Sequence, residues 1–571
     1  MAAASSVVLL SAACLLLLAT PSLSSFALAD GCDIFCHGPL LEAVQLSGIF
    51  NDSKHFVDMS LRYSPSTTLE AFLRMPNKSD TAMLKKFIGE FFDEPGSELE
   101  PCDPTDWQPR PEGFKVIRDP YYRLWAHMIN QKWFKLCRKV KKNVLENPNR
   151  HSLIVVPKPF IVPGGRFLEF YYWDAYWIIK GLLASEMYST AKDMIINLAV
   201  MVERYGFIPN GGRIYYLNRS QPPLLTSCVY DYFNMTGDID LLQGMLPVLE
   251  KEYEFWVRER TVPYGFIKGE PIRLFQYRTK VDQPRSEAYK EDLAVTAHLP
   301  DLYRKRQVWS NIAAACESGW DFTSRWFGHS GPHRSTMRSI RTSRIAPVDL
   351  NAFLCGNYFM LSKLYRAAGN PSAARKHEQS YEAAKKIMYK IFWDPIDQIW
   401  YDIDLDTGMR VSTYYASNMV PLFTRCFENE PFIEEAVVRY LEDNDILNMP
   451  HGLPTSLTWT DEQWDRPNGW APMNHMIIEG LRRSQNPVVQ EAAYDLAKKW
   501  LELNFGVFLR SGGKMFEKYN VENGYAAGGG GEYDVQEGFG WTNGVALDLL
   551  LTYGHRLTVP IVPSQFQSGF L

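Results

Sequence analysis

The chain lacks the short motifs that mark many hydrolytic and nucleotide chemistries. No H-E-x-x-H, G-x-S-x-G or G-x-x-x-x-G-K-[ST] occurs in its 571 residues. That argues against zincin-type metal hydrolysis, serine-triad hydrolysis and P-loop chemistry. No C-x-x-C pair occurs, so neither a zinc ribbon nor a thioredoxin-like dithiol is indicated. The 11 histidines are scattered, and His329 and His333 in GHSGPH read as a surface turn. Net charge is small: 60 Lys+Arg against 65 Asp+Glu give −5. Such a surface has no field for polyphosphate, which argues against nucleic acid as a partner. Beyond residue 30 no apolar run reaches 18 residues, so no membrane span is expected in the mature chain. Period-2 runs are scarce, with Arg213–Leu217 the best of them, and no repeat of 20–50 residues is visible. A solenoid is therefore not expected.

The one long apolar run lies at the N-terminus. VVLLSAACLLLLA, residues 7–19, is too short for a span and is followed by Ala27-Leu28-Ala29 before Asp30. This reads as a signal peptide over residues 1–29, although MAAASS carries no Lys or Arg. Export agrees with the sequons at Asn51, Asn77 and Asn234. A fourth, Asn218, falls within a motif assigned below to the site, and glycosylation is not expected there. Of nine cysteines, Cys14 leaves with the leader, so eight remain. A secreted context permits disulfides, with Cys32, Cys36 and Cys102 near the mature N-terminus. Spacing fixes no pairing. Cys316 and Cys355 sit in apolar helical contexts and read as buried free thiols.

What the chain has in abundance is aromatic residues: 16 Trp, 30 Tyr and 32 Phe. Most must serve the core, yet many cluster in loops. The periodic segments are helical. IIKGLLASEMYS and TAKDMIINLAVMVERYG form two helices, Ala373–Trp393 another, capped by Ser372, and Val488–Asn504 a fourth. Helices of about 12–18 residues joined by Pro/Gly turns predict an all-α fold of helical hairpins. No composition shift divides residues 30–571, which are read as one domain.

Six Gly/Pro-rich blocks combine aromatics, Arg and carboxylates: PGGRFLEFYYWDAYW (163–177), IPNGGRIYYLNRSQ (208–221), DQPRSE (282–287), ESGWDFTSRW (317–326), QWDRPNGW (463–470), and MFEKY leading to GGGGEY (515–533). Flat rings suit sugar C–H faces, while Arg, Asn, Gln and carboxylates suit hydroxyls. Glycoside hydrolysis needs two carboxyl groups. Any one block has a bland reading, such as a core Trp beside a capping Asp; six together favour a sugar site.

PGGRFLEFYYWDAYW and QWDRPNGW resemble the two signatures of the trehalase family, and the other blocks resemble its remaining motifs in order. The resemblance covers nearly all of residues 30–556 and is closest in type to animal, especially insect, trehalases. Two departures, Ala175 and Arg466, flank key positions. The resemblance implies an all-α (α/α)6 barrel that hydrolyses α,α-trehalose, a disaccharide, to two glucoses with inversion. It implies Asp321 as general acid and Glu517 as general base; the chemistry of such a pair then requires the acid raised in pKa by partial burial and the base held low by Arg or hydrogen bonds. It implies Arg166, Phe167, Tyr171, Trp173, Asp174, Asn210, Arg219, Gln221, Arg285, Glu287, Gly319, Trp464 and Glu532 as substrate-binding residues. Gly528–Gly531 resembles part of a lid. No cofactor or metal is implied, and a secreted monomer is expected.

Overall fold

The computed structural model describes residues 31–560 apart from 268 and 429–431; the segment 1–29, read above as a signal peptide, lies outside them. Six helices form an inner ring: Tyr172–Ala184, Leu225–Thr236, Val348–Ala367, Val420–Thr424, Ala471–Arg482 and Gly540–Tyr553. Each packs on the next and the last packs on the first. Five more back them from outside, Pro120–Leu136, Tyr188–Tyr205, Ile239–Glu259, Pro371–Ile387 and Pro487–Arg510, and a sixth, Ile433–Asp443, packs on Pro487–Arg510. This is the (α/α)6 architecture, built from helical hairpins as the periodicity predicts.

Local chemistry sets the helix ends. Pro occupies the first turn of Pro120–Leu136, Pro371–Ile387 and Pro487–Arg510, behind Asp119, Asn370 and Asn486, whose side chains accept from first-turn N–H groups. Pro's missing N–H costs nothing there. The expected cap Ser372 is therefore replaced by Asn370, two residues earlier. Gly206 and Gly237 end their helices with φ of 82° and 66°. Tyr172–Ala184 and Ala471–Arg482 are buried on nearly every face, whereas Leu225–Thr236 and Val348–Ala367 reach solvent at their C-terminal ends. Gly540–Tyr553 lies so close to Tyr172–Ala184 that a Cβ on Gly544 would stand 1.9 Å from the Trp177 carbonyl oxygen.

Strands are few and short. The longest pairing, Thr261–Ile267 with Glu270–Phe275, is an antiparallel hairpin that the sequence reading did not anticipate. The best period-2 run, Arg213–Leu217, holds a 3₁₀ turn, Ile214–Tyr216. Its alternation misleads because Arg213 does not face solvent. The side chain is fully buried, bonded to Glu98 and to Glu169 at 3.1 Å and 3.5 Å from Asp58. Lys54 joins the same cluster 2.7 Å from Glu169. Charges this deep are stable only when paired.

Residues 32–93 form a second apolar layer of short helices whose core includes Tyr171, Tyr215 and Tyr216. The layer therefore packs on the loops at one end of the barrel. Three disulfides are present: Cys32–Cys36, Cys102–Cys137 and Cys355–Cys426. Cys355 is thus not the free thiol expected, because an inner helix brings it beside the loop carrying Cys426. Cys316 is free and buried, as is Cys228.

Candidate active site

A cavity of about 100 Å³ opens at the N-terminal ends of the inner helices. All fifteen catalytic and binding residues expected from sequence line it, although they run from Arg166 to Glu532. Tyr171, Trp470 and Phe539 are each the residue before an inner helix. Helix N-termini carry partial positive charge, which suits a cavity lined by several carboxylates. Two wall residues also tie blocks together. The side-chain oxygen of Gln221 accepts from Trp173 N at 3.1 Å, and Asn210 donates to the Cys316 carbonyl at 3.2 Å.

Asp321 is fixed from both sides. Before it, the buried Glu317 ends a helix and accepts from Arg260 at 2.7 Å and Ser220 N at 2.9 Å. Gly319 then turns with φ +76°, and a Cβ there would stand 2.7 Å from the Trp173 ring, so only glycine lets the chain approach this closely. After it, Asp465 accepts from Thr323 Oγ1 at 2.9 Å and Ser324 N at 2.7 Å. Gln463 Nε2 donates to the Asp321 carbonyl at 2.5 Å. Burial pushes the Asp321 carboxyl up to about 7; Arg285 pulls it down and Glu532 pushes it up. A carboxyl with that value is protonated over much of the range where an acid catalyst is needed.

Glu517 lies just before the strand Lys518–Asn520, which pairs with Asn468–Trp470. Tyr533 Oη donates to its Oε1 at 2.7 Å, and Trp541 Nε1 donates to its carbonyl at 2.9 Å. Its Oε2 is buried with no hydrogen-bond partner among the described residues, and Lys518 Nζ is 3.9 Å away. The base was expected to be held low. Its pKa is instead raised, because burial outweighs the opposing pull of Lys518, Tyr533 and Arg166. Asp174, which feels both Glu517 and Asp321, is pushed well above the ordinary carboxyl range, chiefly by burial. It is thus poised as a hydroxyl donor rather than a third negative charge.

The three arginines converge on the cavity, each held by a carboxylate. Arg166 pairs with Asp52, Arg219 with Glu287, and Arg285 with Asp292 and Glu532. Arg219 Nε and Glu287 Oε2 are buried without hydrogen-bond partners among the described residues. Such orphaned groups need a reason in a native fold, and facing a polyhydroxylated ligand supplies one. Trp173 and Trp464 pack against each other in a tilted pair with ring centres 5.7 Å apart, and Trp464 stacks on Trp470 with centres 3.9 Å apart. The Gly528–Gly531 stretch packs on the 461–468 loop: Gly531 N donates to the Asp461 carbonyl at 2.9 Å, and Asn468 to that of Gly529 at 2.8 Å.

Sequence reasoning missed Asp52, Lys54, Gln463, Trp470 and Tyr533, all of which line the cavity. Gln463, Trp470 and Tyr533 stand inside the quoted blocks, so their neighbours were the available signal. Asp52 was read only as the middle of a sequon, and nothing local marks it.

The trehalase family model matches residues 48–554. The chain is 43% identical to the trehalase of Homo sapiens over 95% of this chain and 94% of that one. It is 39% identical to the trehalase of Apis mellifera, over 92% and 85%. Among solved structures it is similar to neutral trehalase Nth1 from Saccharomyces cerevisiae, with a TM-score of 0.55 and 24% identity over 69% of this chain and 73% of that one.

Proposed function

The chain belongs to the trehalase family and hydrolyses α,α-trehalose to two glucose molecules, and from that premise we propose the roles of its residues. Asp321 is the general acid and Glu517 the general base of an inverting reaction. The observation that carries this is the pair of buried carboxyls in one cavity, one raised to about 7 and one with a free, buried oxygen.

Trehalose joins two anomeric carbons, so one glucosyl unit is the leaving group of the other. Asp321 protonates the bridging oxygen. Glu517 takes a proton from water, which attacks the anomeric carbon from the opposite face. An inverting pair leaves room for that water, with carboxyls about 6.5–9.5 Å apart. Tyr533 orients Glu517 through its hydrogen bond. Arg166, Arg219 and Arg285 hold hydroxyls, helped by Asn210, Gln221, Asp174, Glu287 and Glu532. Phe167, Tyr171, Trp173 and Trp464 supply apolar walls, and Gly319 lets the backbone come close.

The test is a hydrolysis assay with trehalose, maltose and sucrose, read by proton NMR before mutarotation. One α- and one β-glucose per trehalose is expected; α-glucose alone would refute inversion. Activity should be bell-shaped in pH. Asp321 must keep its proton, so activity falls as pH rises through about 7. Glu517 must be ionised, so activity also falls on acidification, starting above the usual carboxyl range. A flat alkaline limb through pH 7–8 counts against Asp321 as acid.

Residues 30–571 are proposed as one secreted, monomeric catalytic domain, glycosylated at Asn51, Asn77 and Asn234. All three asparagines are exposed, disulfides suit an oxidising compartment, and among the described residues no helix is long and apolar enough to cross a membrane. Exported chain beginning near Asp30 and losing mass on deglycosylation is expected; a chain starting at Met1 would contradict the leader.

A further inference from the structure

We infer that Asp52 is a positioning residue for Arg166, so that the N-terminal layer completes the active site. The inference rests on the reading of Arg166 as a residue that holds substrate. The two residues are 114 apart in sequence, yet Arg166 Nε donates to Asp52 Oδ2 at 2.7 Å and Nη2 to Oδ1 at 2.5 Å. This is the parallel two-bond fork that fixes a guanidinium in direction as well as in place. Both side chains line the cavity. The Arg166 guanidinium also lies over Tyr533, 4.6 Å from the ring centre, and Tyr533 is the partner of Glu517.

Asp52 is itself held on two sides. Its Oδ1 accepts from Lys54 N at 2.9 Å as the cap of Ser53–Val57. The strip around it is stitched to the loop that carries Arg285 and Glu287. Ser53 Oγ donates to Glu291 at 2.7 Å, Lys290 Nζ to the Asn51 carbonyl at 2.6 Å, and Gln45 Nε2 to the carbonyls of both Ser53 and Ser286. An arginine loses considerable rotamer freedom when it grips a ligand. A carboxylate fixed at both ends removes that freedom before substrate arrives, which is the gain of preorganisation. An ion pair this exposed, with Asp52 41% accessible, adds little to fold stability, so its effect should appear in catalysis.

The experiment uses the full mature chain and a double-variant cycle. Asp52→Asn keeps the helix cap and removes the charge. Its kcat/KM for trehalose should fall by about tenfold to a hundredfold, more in KM than in kcat, with the melting temperature nearly unchanged. Asp52→Glu should recover a severalfold part of that loss. Asp52→Asn combined with Arg166→Lys should be no worse than Arg166→Lys alone, within about twofold. If the Asn chain does not fold, Asp52→Ser, which also caps, serves in its place. Wild-type kcat/KM in Asp52→Asn, or losses that multiply in full in the double variant, would overturn the inference while leaving the role of Arg166 intact. Full activity in Arg166→Lys would overturn both.

Discussion

Asp321→Asn and Glu517→Gln should each fold normally and lose about 10²–10⁴ in turnover, the range that positioned proton transfer contributes. The substitutions are nearly isosteric. Asn at 321 cannot donate a proton to the bridging oxygen, and Gln at 517 cannot take one from water. Glu517 has one ion pair among the described residues, a long one of 3.9 Å to Lys518, whose Nζ is held independently by Gln463 Oε1 at 2.5 Å. The attachments around Asp321 run through Gln463 and through Thr323 and Ser324, which Asp465 holds. Those of Glu517 include its backbone carbonyl, held by Trp541. The two variants should differ in kind. A substrate with a better leaving group, such as α-glucosyl fluoride, needs little acid assistance and should restore much of the Asp321→Asn rate but not that of Glu517→Gln. Steady-state turnover on both substrates, with far-UV circular dichroism as the fold check, decides it. Near-wild-type turnover on trehalose in either variant refutes the role given to that residue.

Arg285→Gln should damage both stability and chemistry. The guanidinium donates to Asp292 at 2.6 Å and to Glu532 at 2.9 Å, and the Asp292 side chain is 1% exposed. Removing one member of a buried ion pair strands the other, at a cost of about 3–5 kcal/mol. Urea unfolding should show that loss. The residual activity carries a second signature. Arg285 pulls the Asp321 pKa down and Glu532 pushes it up. Without Arg285 the pull is gone and Glu532 is left uncompensated, so Asp321 holds its proton to higher pH. The alkaline limb should therefore move above about 7. An alkaline limb unmoved or shifted downward would show that Arg285 does not act on Asp321.

The helical class of the fold and many of the residues of the site were legible in the sequence. Helical periodicity, proline at helix starts and glycine at helix ends are local effects, decided within a few residues. The six blocks carried their own chemistry, and the residues named from them all line one cavity. Tertiary structure decided what depends on distant partners. Arg213–Leu217 alternates like a strand, but carboxylates at Asp58, Glu98 and Glu169 draw Arg213 inward. Cys355 looks like a buried thiol until the ring brings Cys426 beside it. Glu517 was expected to be low in pKa; only the packed cavity shows how strongly burial opposes ionisation there. Asp52 reads as the middle of a sequon, and its place beside Arg166 exists only once the N-terminal layer folds over the barrel. Electrostatics and burial are sums over neighbours in space, and those neighbours are set by the whole chain.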